Sequence, residues 1–138
     1  ARGVVAEDAR LQVRIITPER IAFDGPADGV VATAYDGQFG ILPGHAPMMV
    51  VLGIGELRLR QGERYDWFAI GEGFLHVLDD VVTVLTPLAE HAREIDVEAA
   101  KRLELATADN PLLQGSILGD EERRRLGKLM ESVARKGG

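Results

Sequence analysis

Short apolar runs, each closed by a turn after about 5 to 10 residues, fill the chain from residue 11 to residue 92. Leu11, Val13 and Ile15 alternate with polar residues, and residues 56–60 repeat the same two-residue period. Such alternation is typical of half-buried strands, and no helical period occurs among these runs. The pattern predicts a mainly β fold, an antiparallel β-sandwich of about ten strands or a flattened barrel.

The second run closes early, because Asp24-Gly25-Pro26 is a turn signal. Residues 48–52 are continuously apolar, which indicates a strand covered on both faces. Glycine pairs or acidic pairs separate the later runs and favour hairpins. Apart from a short strand at 39–41, the predicted strands are residues 11–15, 21–23, 30–34, 48–52, 56–60, 65–70, 74–78, 81–85 and 88–92.

Residues 36–47 form a loop in which backbone constraints outnumber reactive side chains. Pro43-Gly44 suits the two central positions of a type II turn, and Pro47 holds Ala46 in an extended conformation. Between the turns, Phe39 and Ile41 point to one face. The loop taken alone is a rigid hairpin that presents His45, with no catalytic partner nearby.

The pattern changes at Asp96, which can cap a helix that starts at residue 97. Asp120 can cap a second helix of about 16 residues, with Gly137-Gly138 past its end. Its apolar residues form one stripe, and a helix this short needs a surface to pack on. We therefore expect a β-sandwich domain at 1–95 and a two-helix hairpin at 96–138. The stripe consists of Leu126, Leu129, Met130 and Val133.

The formal net charge of −6 argues against general nucleic-acid binding, which requires a basic face. The last segment is locally basic because three arginines and a lysine lie close together. On a helix these cations fan out opposite the apolar stripe. They predict either a solvated face paired with nearby glutamates or a contact with an acidic partner. These cations are Arg123, Arg124, Arg125 and Lys128.

No pattern of a catalytic, metal or cofactor site occurs in the sequence. There is no cysteine, and the three histidines lack the spacing that aims two imidazoles at one ion. Gly71-Glu72-Gly73 lacks the third glycine and the following helix of a dinucleotide loop, so it predicts a turn. No apolar run approaches the roughly 20 residues that span a bilayer. We expect a soluble, non-catalytic protein without a cofactor.

The run GQFGILPGHAP at 37–47, followed by the segment from Gly53 to Arg60, resembles the epsilon subunit of F-type ATP synthases, the counterpart of mitochondrial delta. The resemblance implies a non-catalytic rotor subunit on the cytoplasmic face of a bacterial inner membrane, or the stromal face of a thylakoid, that meets the membrane only indirectly. It implies contact with the gamma subunit through His45, Ala46, Met48 and Met49. It implies contact with the c ring through Gly37, Gln38 and Phe39.

In the family that the chain resembles, the C-terminal helices move between the sandwich and the rotor shaft. The resemblance therefore implies that Arg123, Arg124, Arg125 and Lys128 meet the alpha and beta catalytic subunits and that the tail restrains ATP hydrolysis. Gln38 stands where some members have an acid, which weakens a charge pair with the ring. Ala99 replaces the arginine of the ATP-binding motif found in some members, so we expect no ATP binding.

A free-standing sandwich that binds carbohydrate or peptide is the alternative interpretation. Sugar-binding platforms present several exposed aromatic faces. The chain has two tyrosines, one tryptophan and four phenylalanines, and most are expected to point into the core. The aromatic pattern therefore favours the rotor subunit.

Overall fold

The computed structural model describes residues 10–95, 98 and 120–137. Within them the chain forms ten β-strands, one short 3₁₀ helix (η1) and one α-helix (α1). In order these are β1 Leu11–Ile16, β2 Ile21–Ala27, β3 Gly29–Ala34, β4 Gly37–Ile41, β5 Met48–Leu52, β6 Gly55–Gln61, β7 Arg64–Ile70, β8 Gly73–Leu78, β9 Val81–Leu85, β10 Ala89–His91, η1 Ala92–Glu94 and α1 Asp120–Gly137.

The predicted β-sandwich is confirmed, and the strands lie where the alternation places them. One boundary is wrong: β2 continues through Asp24, Gly25 and Pro26 to Ala27 instead of turning there. β2 pairs with β1 alone and ends the strand order. Proline and glycine are tolerated on such an edge strand, because one row of its backbone groups needs no partner strand.

Two layers of strands make up the sandwich. One contains β10, β7, β6, β3 and β4, and the other contains β5, β8, β9, β1 and β2. β3 connects them, since it pairs with β6 through residues 29–31 and reaches β5 only where Ala34 faces Leu52. All strand pairs are antiparallel except β1 with β9, which is parallel. No tight turn joins these two strands, so the local sequence did not define their relative direction.

The core lies between the layers and follows the two-residue period of the strands. Val13 and Ile15 are fully buried from one layer, and Leu59 and Phe68 from the other. The rings of Phe23 and Phe68 meet edge to face across the layers, with centroids 6.0 Å apart. Because the strands alternate, every second residue points outward, and the two layers present two outer faces.

Helix α1 packs on the outer face of β6 and β7 and against η1. Its seat is a second, smaller apolar cluster in which Val133 contacts Ala69, Ala92 and Ile95. The predicted stripe is confirmed: Leu126 and Val133 are buried, and Leu129 and Met130 are half-buried. The helix includes Gly137, so the expectation that this glycine lies beyond its end is wrong. The other predicted helix lies outside the described residues, apart from Glu98, which is helical.

A half-buried hydrogen bond between two side chains fixes the strand end on which η1 is built. The Nε2–H of His91 donates to Asp66 Oδ1 at 3.0 Å, and the ring packs edge-on against Phe68. The backbone N–H of Arg93 donates to His91 Nδ1 at 3.0 Å and starts the 3₁₀ turn. This turn places Ala92 and Ile95 under α1.

Candidate interaction faces of the sandwich

An apolar row crosses the outer face of the second layer. Val51 on β5 is opposite Phe74 on β8, Phe74 is opposite Leu85 on β9, and Leu85 is opposite Ile16 on β1. Ile16 is in turn opposite Ile21 on β2. Val51, Phe74, Leu85 and Ile21 are 49–52% exposed. Below, this set of five residues is called the apolar row.

The apolar row borders an open groove of about 660 Å³. Pro18 and Pro87 lie at one side of the groove, and the hydrogen-bonded pair of Tyr35 and Glu72 lies at the other. Gly73 forms its floor, where a Cβ would collide with the backbone carbonyl of Leu85. Close backbone approach at this position therefore keeps β8 and β9 in register beneath the groove.

Nothing in the described part of the chain covers the apolar row. The continuous apolar run 48–52 predicted a strand covered on both faces, and that prediction is wrong for the chain by itself. Met48 and Val50 pack against the core, whereas Met49 is 68% exposed and Val51 is 49% exposed. An exposed apolar surface of this extent is typical of a protein–protein contact site.

The loop between β4 and β5 is held rigidly beside this layer. The N–H of His45 donates to the carbonyl of Leu42 at 3.1 Å, and Gly44 has a φ of +87°, which confirms the type II turn. The N–H of Gly44 donates to Asp80 Oδ1 at 2.7 Å. Asp79 and Asp80 both have positive φ, as a type I′ turn between β8 and β9 requires. The acidic pair is therefore a turn that anchors the loop.

The residues predicted to contact gamma lie on this loop and at the start of β5. Ala46 is exposed and His45 is half-buried, and the Nδ1–H of His45 donates to the carbonyl of Ala46 at 2.8 Å. Met49 points outward between the loop and the apolar row. Met48 points the other way and packs against the core. Met49 is thus the methionine that a partner can reach.

The residues predicted to contact the c ring begin β4. Gly37 and Gln38 are exposed, and Phe39 is half-buried against the core. The side-chain amide of Gln38 donates to Glu56 Oε1 at 3.4 Å. β4 pairs with β3 alone, so its other edge is open among the described residues.

Helix α1 is held on the opposite outer face by charge as well as by apolar contact. Lys136 Nζ lies 2.6 Å from Glu56 Oε2 and 4.7 Å from the ring centroid of Trp67. Arg58 also lies over Trp67, with its guanidinium carbon 5.4 Å from that centroid. Sequence reasoning did not identify Glu56, Trp67 or Lys136 as functional. For Glu56 and Trp67 the signal was their placement on the outward phase of β6 and β7.

The basic residues of the tail lie mostly away from this contact. Arg124, Arg125 and Lys128 are exposed, while the side chain of Arg123 is outside the described part of the structure. Arg125 borders a cleft with Tyr35, Gly37 and Glu72 at the end of the sandwich. The position of Ala99, expected to lack an ATP contact, also falls outside the described residues.

The expectation that most aromatic side chains point into the core is wrong. Phe68 is buried, and Phe23 and Phe39 are half-buried against the core. The other four lie on outward phases, where α1 or the uncovered face favours large side chains. These four do not form one platform, because Tyr65 and Trp67 are neighbours near α1, whereas Tyr35 and Phe74 line the groove of the other layer. They are Tyr35, Tyr65, Trp67 and Phe74.

A surface carboxylate ties the start of β1 to the β6–β7 turn. The N–H of Gly62 donates to Asp28 Oδ2 at 2.6 Å, and Arg10 Nε lies 3.1 Å from Asp28 Oδ1. The Gly62 hydrogen bond and the Arg10 charge lower the pKa of Asp28 below its usual value.

Within residues 10–95, 98 and 120–137, no group of three or more acidic or histidine side chains could hold a metal ion.

The described helices include none that is long and apolar enough to cross a bilayer.

With the fold and its two faces established, comparison with known proteins defines the class of protein to which the chain belongs. Residues 10–92 match the family described as "ATP synthase, Delta/Epsilon chain, beta-sandwich domain". The chain is 41% identical over 93 residues to the ATP synthase epsilon chain of Leptospira borgpetersenii, a match that covers 67% of this chain and 73% of the relative. The chain therefore belongs to the ATP synthase delta/epsilon family.

Solved structures agree with this assignment at the level of the fold. A chain in the mitochondrial ATP synthase of Euglena gracilis, described as OSCP/F1/c-ring, has a TM-score of 0.59 at 23% identity and covers 92% of this chain and 78% of its own length. A chain in the central stalk/c-ring structure of Tetrahymena thermophila mitochondrial ATP synthase has a TM-score of 0.56 at 15% identity. That match covers 90% of this chain and 96% of the other.

Proposed function

We propose that this chain is a non-catalytic rotor subunit of a proton-driven F-type ATP synthase, which couples the gamma subunit to the c ring. Family membership supports the complex, and the uncovered apolar row supports the coupling role. We further propose a division into a β-sandwich domain at 1–95 and a regulatory helical domain at 96–138. The subunit would be located at the cytoplasmic face of a bacterial inner membrane, or at the stromal face of a thylakoid. It would contact the membrane only through the c ring.

The observation that carries the proposal is the apolar row beside a rigid loop. Burying half-exposed side chains of this size against a partner stabilises an interface by roughly 25 cal/mol per Å² of apolar area. Aromatic residues near the centre of such a patch dominate the binding energy. Phe74 lies in the middle of the row, with Val51 and Leu85 on either side. Gamma is the proposed occupant, with His45, Ala46, Met48 and Met49 at the margin of the contact.

The proposed ring contact lies at Gly37, Gln38 and Phe39, at the start of β4. Two of these residues are exposed and none carries charge, which suits polar loops better than a strongly charged partner. Glu56 holds the Gln38 amide, so the contact has a defined orientation. The subunit would thus bind gamma with one layer and the ring with a hairpin of the other.

The tail is proposed to restrain ATP hydrolysis by meeting the alpha and beta catalytic subunits through Arg123, Arg124, Arg125 and Lys128. The exposure of Arg124, Arg125 and Lys128 while α1 is docked supports this role. A basic surface attracts an acidic partner over roughly the Debye length, about 8 Å at physiological salt. A free-standing carbohydrate- or peptide-binding module is not favoured, because the outward aromatic side chains are dispersed.

Co-purification with gamma, in the presence and absence of the c ring, tests the proposal. Phe74→Glu places a charge in the middle of the apolar row and should weaken gamma binding about 30-fold or more, as expected for a central interface residue. Tyr65→Glu is the matched control, because Tyr65 is 48% exposed on the opposite face and Phe74 is 51% exposed. Equal gamma binding by wild type and Phe74→Glu would overturn the proposed interface.

A further inference from the structure

Two cations share one aromatic ring where α1 meets the sandwich. Lys136 Nζ and the guanidinium carbon of Arg58 lie 4.7 and 5.4 Å from the centroid of Trp67. Arg58 also lies 5.7 Å from the ring centroid of Tyr65. Each cation gains from the electron-rich ring of the indole. The two cations therefore share one aromatic partner in the docked state.

The hydrogen bonds of the two cations are unequal. Lys136 pairs with Glu56 at 2.6 Å, and the Glu56 side chain is only 19% exposed. Arg58 Nε is buried and has no hydrogen-bond partner among the described residues. A buried donor without an acceptor destabilises the state that contains it. The docked helix therefore satisfies Lys136 and leaves Arg58 incompletely bonded.

Glu56 and Arg58 are two residues apart on β6, so both side chains point to the same outer face. If Lys136 leaves, Glu56 loses its ammonium partner while Arg58 gains an acceptor within reach of its long side chain. Pairing Arg58 with Glu56 would then satisfy both groups and leave one cation on Trp67. Release of α1 would expose no unpaired charge on the sandwich.

We propose that Glu56 and Trp67 form a cation-binding seat whose carboxylate pairs with Lys136 when α1 is docked and with Arg58, which already lies over the ring, when α1 is released. The exchange brings the two positions of the helix close in free energy, which is what a regulatory switch requires. Val133 and Leu126 supply the apolar part of the docking, and the seat determines how readily it opens. The inference deepens the regulatory part of the proposed function.

Trp67 is the single tryptophan of the chain and lies under Lys136, so its fluorescence reports the seat directly. Acrylamide quenching of Trp67 measures helix release in the free chain. Hydrogen exchange of the amides of 120–137 measures the same release without depending on the indole. Lys136→Met and Glu56→Gln should each lower the ratio of docked to released helix about fivefold to tenfold, as expected for a partly buried ion pair with a cation–π contact.

Arg58→Met should act in the opposite direction. Removing the competing cation leaves the released state without its compensating pair, so the docked fraction should rise about threefold. Arg135→Met is the matched control, because Arg135 is an exposed cation next to Lys136 on the same helix, and it should leave both readouts unchanged. Arg58→Leu replaces Arg58→Met if thermal melting shows that the latter does not fold.

Wild-type quenching and exchange in both Lys136→Met and Glu56→Gln would overturn the seat. Loosening of α1 by Arg58→Met or Arg58→Leu would overturn the exchange between the two cations. Both measurements use the free chain, whereas the proposed function is tested by gamma and ring binding. Failure of one is therefore distinguishable from failure of the other.

Discussion

Both outer faces of the sandwich carry apolar side chains, but the two faces differ in what covers those side chains. On the β6–β7 face, Trp67 and Ala69 lie beneath a helix of the same chain. On the β5–β8–β9 face, Val51, Phe74 and Leu85 are about half exposed. A chain that covers one face and leaves the other open has two kinds of contact. One is internal, and we propose that it is reversible and that the other is completed by a partner.

Charged side chains take part in the contact that covers the β6–β7 face. Lys136 meets Glu56 and Trp67 there, and the cations of α1 that remain exposed face outward. The open face offers apolar side chains and a rigid loop, so its contact depends on shape and area. We therefore expect changes in charge to displace the helix, and we expect the open face to suit a permanent subunit contact.

The largest effect expected on the covered face comes from Val133→Asp. Val133 is fully buried between α1 and the sandwich, and an unpaired carboxylate there should cost about 3 kcal/mol of docking free energy. Helix release would raise acrylamide quenching of Trp67, while the melting of the sandwich should change little because its main core is separate. Lys128→Asp, at an exposed position of α1, should leave Trp67 protected. Protected Trp67 in Val133→Asp would show that α1 does not dock through this cluster.

Gly44→Val tests the rigid loop beside the open face. Gly44 has a φ of +87°, and a β-branched residue at such a position costs about 1–3 kcal/mol. The space around a Cβ there is empty, so the cost is conformational and not steric. Thermal melting should show the loss, and gamma binding should weaken as His45 is displaced. A variant with wild-type melting and binding would contradict the role of the turn.

The sequence predicted the internal side of the sandwich far better than its outer faces. Strand alternation reveals which residues share a face, so the common buried side of Leu11, Val13 and Ile15 was predictable from spacing alone. Spacing does not reveal what lies against the outward residues. The run 48–52 therefore predicted a strand covered on both sides, although in the described chain Met49 and Val51 are exposed.

The same limit applies to the seat of α1. The apolar stripe was readable because a 3.6-residue period indicates one buried face. The pairing of Lys136 with Glu56 joins residues 80 positions apart, and no local pattern encodes such a contact. The parallel pairing of β1 with β9 escaped prediction for the same reason, since it depends on the path of the whole chain. Contacts between residues far apart in the sequence could be identified only from the structure.

Removing the tail cations should have a moderate effect that appears only in the assembled complex. Replacing Arg123, Arg124, Arg125 and Lys128 with alanine should raise ATP hydrolysis about twofold to fivefold, because exposed ion pairs contribute about 0.2–1 kcal/mol each. The difference from wild type should shrink at high salt, which screens the same contacts. Hydrolysis equal to wild type at both low and high salt would assign these cations to a solvated face.

The smallest expected effect is the pH dependence contributed by Asp28. Its pKa is lowered in the folded chain, mainly by the Gly62 N–H, so its carboxylate stabilises the fold above the usual aspartate range near pH 4. That contribution is lost as pH falls through the lowered pKa. Asp28→Asn should melt slightly earlier than wild type at pH 7, and the gap should close below about pH 4. A gap that widens on acidification would contradict this assignment.

The most direct test of the difference between the two faces is the rate at which a thiol reagent labels single introduced cysteines in the presence and absence of gamma. The chain has no cysteine of its own, so only the introduced thiol reacts. Val51→Cys and Tyr65→Cys place single thiols on the open and the opposite face at positions 49% and 48% exposed. Gamma should slow labelling of Val51→Cys at least about tenfold and leave Tyr65→Cys unchanged. Protection of Tyr65→Cys with free labelling of Val51→Cys would contradict the account.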